Sequence, residues 1–366
     1  MAVYYWTKYN TKFYKVFIFL LGAFYICSFK QGEVVSNTLN GGSVKSDKDL
    51  TSGELHDSVN NFASDGNKVP VDRCNCSRTL PSDSVPEVKY SATTCSRHSW
   101  ARGKGQKVVG FSYYGDSASV HHKAKGYLQG IEDNLRAMAK FYPGWTMRLY
   151  YDLPPSDPIL GRLCSLACSD PTLDLCYIRD LPGTPIKDAK GVFAMNWRFF
   201  PTLDPQVDYF VSRDLDSLFS DREKAAVNAW LTSGKAHHMM RDHPQHSINI
   251  LGSGWGTWLR DDAVRNQWRE AWLKAKDDPQ VMWAARNLVG PDQGFLRRYV
   301  WKWAKKDALQ HDAYSCKTFP GTVGFPTQRK NESNNFIASV YSQDMYMWEK
   351  CPYKCRPRDH KDWEYC

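Results

Sequence analysis

The sequence predicts a mixed α/β fold, with a mainly parallel sheet flanked by helices, set behind an N-terminal apolar segment and a polar stem. Three observations carry this. Short β-branched and aromatic runs alternate with stretches of helical period. Two of the runs end in acidic or glycine-bearing tips, as strands do when they open into a cleft. At 366 residues, 42% hydrophobic and 14% aromatic, the chain can fill one large domain and carry something simpler besides.

The first predicted strand covers residues 107–114 and leads to Gly115-Asp116. Leu128, Ile131, Leu135 and Met138 then recur at helical spacing up to Pro143-Gly144, and residues 145–151 and 175–178 read as the next strands. Strand alternating with helix implies parallel pairing with both faces covered. Neither a Gly-x-Gly-x-x-Gly turn nor a phosphate-binding G-x-x-x-x-G-K-S/T loop is present.

The central run, residues 207–217, ends in Asp214-Leu215-Asp216. Alternate strand residues share a face, so the two carboxylates meet, and they repel unless a proton or cation separates them. Hard oxygen ligands suit Mn2+ or Mg2+, the usual companions of a diphosphate. Ser220 with Glu223 forms a capping box for the next helix, which Gly234 can close.

Upstream, residues 191–201 read as a short helix whose Arg198 is either an anion clamp or a partner for its aromatic neighbours. Residues 237–246 hold four histidines. Pro244 interrupts them and no H-E-x-x-H is present, so an active-site loop is expected, with Asp242 meeting hydroxyls. Gly252-Ser253-Gly254 is a plain turn or a site of close ligand approach, with Trp255 able to stack on a sugar. Val264, Trp268 and Trp272 read as a core-facing helix stripe, and Gly290-Pro291-Asp292-Gln293-Gly294 opens another helix, with a solvated basic face at Arg297, Arg298, Lys302, Lys305 and Lys306.

A net charge of +9 would suggest nucleic acid in a cytosolic protein, but the N-terminus points elsewhere. Residues 16–29 are nearly continuous apolar, behind Lys8, Lys12 and Lys15 and aromatic Tyr4, Tyr5, Trp6, Tyr9 and Phe13, and the expected span is counted from Phe13 to Phe29. At about 17 residues this fits an uncleaved signal anchor in a thin early-secretory bilayer, with residues 1–12 cytoplasmic and the bulk lumenal. A cleaved signal peptide is the alternative. Residues 30–104, polar through their first sixty or so positions, read as a disordered stem, and residues 105–366 as the lumenal domain. Of eleven cysteines, Cys27 lies in the apolar segment, and the other ten suit disulfides in an oxidising lumen. Asn75 and Asn331 stand in glycosylation sequons.

The acidic strand tip, the Gly-rich turn, Asp292-Gln293-Gly294 and the late His311, in that order behind an anchor and stem, resemble the GT-A nucleotide-sugar glycosyltransferases, most closely glycosyltransferase family 8, the glycogenin-like enzymes. The likeness covers roughly residues 108–311. It implies a hexosyltransferase with Mn2+ or Mg2+ held by Asp214, Asp216 and His311. It implies a UDP-sugar lying over Phe111, Ser112 and Tyr113, and it places Asp292 on the sugar, with Gln293 beneath the anomeric carbon of a retaining transfer. Arg198, Arg213, Asp214, Gly252, Ser253 and Gly254 complete the expected donor site, and an inverting enzyme would take its base from Asp242 or Asp292. The expected partners are a nucleotide-sugar donor and a glycan or glycoconjugate acceptor, with no nucleic acid. The expected location is the Golgi or endoplasmic reticulum membrane, as a single-pass type II protein. Two rivals share the features: a haloacid-dehalogenase-type phosphatase with Asp214 as nucleophile, and a membrane-anchored carbohydrate-binding protein without turnover.

Overall fold

The computed structural model describes residues 68–79, 86–114, 126–186, 189–279, 290–340 and 345–366. The expected tail and anchor, the first part of the stem and Gly115-Asp116 lie outside the described residues. Among the described residues no helix is long and apolar enough to cross a membrane.

Two short strands, β1 (Lys68–Pro70) and β2 (Ser77–Thr79), form an antiparallel pair. After the helix α1 (Arg97–Ala101) come β3 (Gln106–Tyr113), α2 (Tyr127–Phe141), β4 (Thr146–Tyr151), α3 (Pro158–Ser169) and β5 (Leu173–Tyr177). A 3-10 stretch (Ala194–Leu203) leads to β6 (Val207–Ser212), followed by α4 (Asp221–Thr232), β7 (His237–Arg241), β8 (Trp255–Trp258) and α5 (Asp262–Ala275). The chain then runs through α6 (Pro291–Phe295), a π turn (Leu296–Val300) and α7 (Trp301–Ala304) into β9 (Ala308–Asp312). The seven-stranded sheet has the order β5-β4-β3-β6-β8-β7-β9, with β8 alone antiparallel to its neighbours. The expected mixed, mainly parallel sheet between helices is therefore present.

Alternation along β3 shows how the layers form. Val109, Phe111 and Tyr113 face Ile131, Leu135 and Met138 of α2, while Val108 faces Phe199, Phe200 and, through them, Trp268 and Trp272 of α5. Burying these rings against a sheet is the main favourable term in the fold. The two tryptophans of α5 are fully buried and donate their indole N–H groups to Thr257 and Thr202 at 3.1 and 3.0 Å, so the predicted core stripe is core. Half of the expected capping box is formed: the Ser220 Oγ accepts from the Glu223 N–H at 3.2 Å, while the Glu223 carboxylate accepts from the Tyr142 hydroxyl at 2.6 Å and lies 3.2 Å from Arg213.

Three expectations change. The described part of the expected stem beyond residue 67 is folded against the domain, because polar ties hold it there. Asp204 accepts from the Thr93 hydroxyl at 2.8 Å and the Thr94 N–H at 3.0 Å, and the buried Asp174 binds Arg102 at 2.9 Å and His98 at 3.2 Å. Disulfides Cys74–Cys164, Cys76–Cys168 and Cys95–Cys176 staple the same segment, closing separations of 90, 92 and 81 residues, each worth about 2–4 kcal/mol. Cys316–Cys355 and Cys351–Cys366 secure the C-terminal segment, so all ten cysteines beyond the apolar run pair as expected. The second change is that the histidine-rich stretch begins as the buried strand β7 and becomes a loop only after Arg241. Third, Trp255 lies on β8 at 2% exposure, packed on Phe199, Phe210 and Trp268, and cannot offer a face to a sugar.

Candidate active site

The carboxyl ends of the parallel strands share one edge, and β6 delivers its acidic tip there. Leu215 is buried in the core beside α2 and its carbonyl receives the Asn134 amide at 3.4 Å, while Asp214 and Asp216 on either side of it remain partly accessible. Because β6 ends at Ser212, the two carboxylates stand in the turn after the strand, on either side of one buried leucine.

Arg198 organises what surrounds them. Its guanidinium donates to Asp214 Oδ1 at 2.5 Å and to Asp292 Oδ2 at 2.7 Å, and its backbone N–H donates to the Ser112 hydroxyl at 3.0 Å. The Arg198 side chain is 5% exposed and that of Asp292 6%, whereas Asp214 keeps 38% of its side chain in solvent. Burial would lower the Arg198 pKa, but the Asp214 and Asp292 charges outweigh it and hold the group cationic. Burial, together with the Asp214 charge, pushes the Asp292 carboxyl above the usual range despite the pull of Arg198.

Two glycines make this packing possible. A Cβ at Gly110 would lie 2.4 Å from the Arg198 carbonyl, and one at Gly252 would lie 2.2 Å from Asp292 Oδ2 and 2.9 Å from Arg198 Nη2. The Ser212 hydroxyl donates to the Gly252 carbonyl at 2.7 Å, fixing the turn against β6. At Gly252 the close approach is made by Asp292 and Arg198 of the chain itself. Arg198 thus pairs with two carboxylates of the chain itself while standing 5.3 Å over the Phe199 ring.

Several expected site residues are placed differently. Phe111 is fully buried against Phe219, and Tyr113 is 3% exposed within the same core, while Ser112 contributes its hydroxyl to the site. Arg213 is buried, lies 3.2 Å from Glu223 Oε2 and donates to the Ser217 hydroxyl at 2.9 Å and the Leu218 carbonyl at 3.1 Å. It shapes the loop after β6 and has no exposed surface. Ser253 is buried, and Gly254 sits against Met240 and Leu251. Gln293 occupies the first turn of α6, partly exposed beside Asp292.

Asp242 is fully buried, with Arg222 at 2.8 Å on both oxygens, Arg329 at 2.5 Å and the Ile337 N–H at 2.9 Å. Burial opposes ionisation, but the two guanidinium groups outweigh it and hold the carboxyl below its usual range. A carboxylate so enclosed cannot receive an acceptor proton, so the expected base role is not available to it. His311 is 2% exposed and its Nδ1 stands 2.9 Å from Nε2 of His238, with its ring on Phe325. Among the described residues no three His, Cys, Asp or Glu side chains are grouped to hold a metal ion, so His311 does not complete a set with the two aspartates. Asn75 and Asn331 are both exposed, as a glycan would require.

Two residues of the site escaped the sequence reading. Tyr114 lies edge-on to Trp197 and close enough to Arg198, Asp214 and Asp292 to feel their charges, and Tyr127 lies near Asp216 and Asp214. Burial raises both phenols, with the carboxylates adding to it, so both stay protonated as hydrogen-bond donors. Tyr114 directly follows the first strand, which was a usable signal. Gly110 in a strand interior was another, since such a glycine marks a close backbone approach.

No protein-family model matches the chain, and no curated protein sequence matches it. Among solved structures it is similar to 4-diphosphocytidyl-2C-methyl-D-erythritol synthase from Anaerococcus prevotii, with 12% identity and a TM-score of 0.29 over 53% of this chain and 84% of that one. A likeness of that size assigns neither a family nor an activity.

Proposed function

We propose that the chain is a Mn2+- or Mg2+-dependent glycosyltransferase of GT-A type. It would move a sugar from a nucleoside-diphosphate sugar, most simply a UDP-sugar, to a hydroxyl of a glycan or glycoconjugate in the secretory lumen. The observation that carries this reading is Arg198 clasped between Asp214 and Asp292 at the carboxyl edge of the sheet, beside two accessible carboxylates separated by a buried leucine. The apolar segment behind lysines, the five disulfides and the exposed sequon asparagines support the lumenal, type II placement.

The donor set fits a divalent ion. Asp214 and Asp216 supply hard oxygen atoms, and two carboxylates completed by phosphate and water oxygens are the usual way such ions accompany a diphosphate. When bound, the ion would act as a Lewis acid on the departing diphosphate. Arg198 holds Asp214 and Asp292 in register and brings positive charge to the same place. Asp292, kept in position by Arg198 and Gly252, would orient the sugar hydroxyls, with Gln293 on its exposed side. In the transfer, the bond from the anomeric carbon to the diphosphate oxygen breaks with its electron pair leaving on the diphosphate. The acceptor oxygen bonds to that carbon and passes its proton to the departing diphosphate oxygen if the transfer retains configuration, or to a carboxylate base if it inverts. With Asp242 sealed, Asp292 is the remaining one of the two candidate bases should the transfer invert; retention needs no such base.

A panel of UDP- and GDP-sugars, scored for Mn2+-dependent hydrolysis and transfer, tests this. Asp214→Asn and Asp216→Asn should each lower metal-dependent turnover by about a hundredfold or more. Wild-type turnover in both variants would remove the metal assignment, and a folded protein that binds neither Mn2+ nor any nucleotide would remove the whole reading.

A further inference from the structure

Next to the acidic loop, where Leu218 and Phe219 lead into α4, a cleft of about 410 Å3 opens against the segment from Thr327 to Ser339. Its charges balance. Asp221 and Glu332 oppose Arg222 and Lys330; Lys330 stands 3.6 Å from Asp221, and Arg222 shares Asp242 with Arg329, which leaves that cluster one positive charge to set against Glu332. Neither sign is left in excess to select a charged ligand. What remains is neutral: the Thr327 hydroxyl oxygen is buried with no hydrogen-bond partner among the described residues, Gln328 offers an exposed amide, and Phe141 and Phe219 form an apolar wall.

Beyond Asn334 and Asn335, which also line the cleft, the wall continues into an extended strip. The Met345 N–H donates to Asn334 Oδ1 at 3.2 Å and the Met347 N–H to Asn335 Oδ1 at 3.1 Å. Met347 is turned inward, so Tyr346 and Trp348 on either side of it face solvent together, 52% and 51% exposed, with their rings stacked at 5.6 Å and 9°. Two large aromatic faces held parallel in water, next to neutral hydrogen-bonding groups, match the two sides of a sugar ring: apolar C–H faces and hydroxyl edges.

We infer that this cleft and its aromatic strip bind the acceptor as a neutral oligosaccharide, presenting its reactive hydroxyl toward Asp214 and Asp216. The inference rests on the transferase reading for the word acceptor, but the glycan site stands on its own residues. The test uses the full chain in detergent with a panel of neutral oligosaccharides, first without nucleotide and then as acceptors. The variants are Tyr346→Ala with Trp348→Ala, and Gln328→Ala. Both variants should weaken oligosaccharide binding and raise the acceptor KM, the double aromatic variant by about tenfold or more, while Mn2+-dependent hydrolysis of the donor without acceptor is unchanged. Variants that bind the same oligosaccharide as the wild type overturn the inference, and so does a wild-type chain that retains no neutral oligosaccharide. Binding that is lost in the variants, in a protein that hydrolyses no nucleotide-sugar, keeps the glycan site and removes the transferase.

Discussion

Two arginine–carboxylate clusters stand at the same edge of the sheet, and they differ in access. Around Arg198, the guanidinium and Asp292 are buried but Asp214 keeps 38% of its side chain in solvent. Around Asp242, both guanidinium groups and the carboxylate are sealed, and Arg222 reaches on to the carbonyls of Thr327 and Cys366. The first cluster has an open side where a ligand can replace water. The second is closed apart from the edge of Arg222, 7% exposed, that borders the cleft at residues 327–339, and it joins α4, the end of β7 and the C-terminal segment. Identical chemical groups are thus left open to solvent in one place and hold the chain together in the other, and only exposure separates them.

The contrast can be broken from either side. The aspartate substitutions at 214 and 216 give the largest effect, on turnover, and should leave thermal stability nearly unchanged, since Asp214 is partly hydrated already. Asp242→Asn should do the reverse. Removing that charge leaves two buried guanidinium groups uncompensated, at a cost of about 3–5 kcal/mol, read as a lower urea midpoint, while nucleotide affinity of the folded fraction is preserved. Loss of nucleotide affinity without loss of stability would put Asp242 back in the site.

Gly252→Ala sharpens the comparison at smaller cost. The added methyl would sit 2.2 Å from Asp292 Oδ2, so it should part Asp292 from Arg198, lowering stability by about 1–3 kcal/mol and turnover by about tenfold. Full activity in this variant would mean that the Arg198–Asp292 contact is dispensable.

The smallest effect is in pH. Burial pulls His246, beside Asp242, down to about 3 and His237 on β7 down to about 4, from an ordinary value near 6.5. Their folded pKa values lie below the unfolded ones, so unfolded chains take up protons first. This stability is complete above about pH 6.5 and is lost as pH falls toward 4. Urea midpoints should be level near neutrality and decline over that window, and His237→Gln should flatten part of the decline. A flat profile would mean that these rings are solvated.

The sequence was most legible where a pattern repeats locally. The strands and helices follow from apolar period, the α4 cap from Ser220 and Glu223, and the core role of Trp268 and Trp272 from their spacing. It was least legible for single polar residues. Asp214 and Asp242 both follow a strand, and Arg198 and Arg213 both stand close to the acidic tip in sequence, yet Arg213 turns inward to Glu223. Tyr127 joins the site from a helix start that carries no chemical mark.

By itself, then, the chain's order of residues determined the layered α/β sheet, the ten paired cysteines and the acidic tip of β6, because these depend on neighbours in sequence and on composition. Which charged groups meet water, and which meet each other, was decided only when β6, the 3-10 stretch and α6 came together around Arg198 and when the C-terminal segment closed over Asp242. Burial depends on every element at once, and the cost of leaving a charge unpaired scales with burial, so no local pattern could have told the two clusters apart.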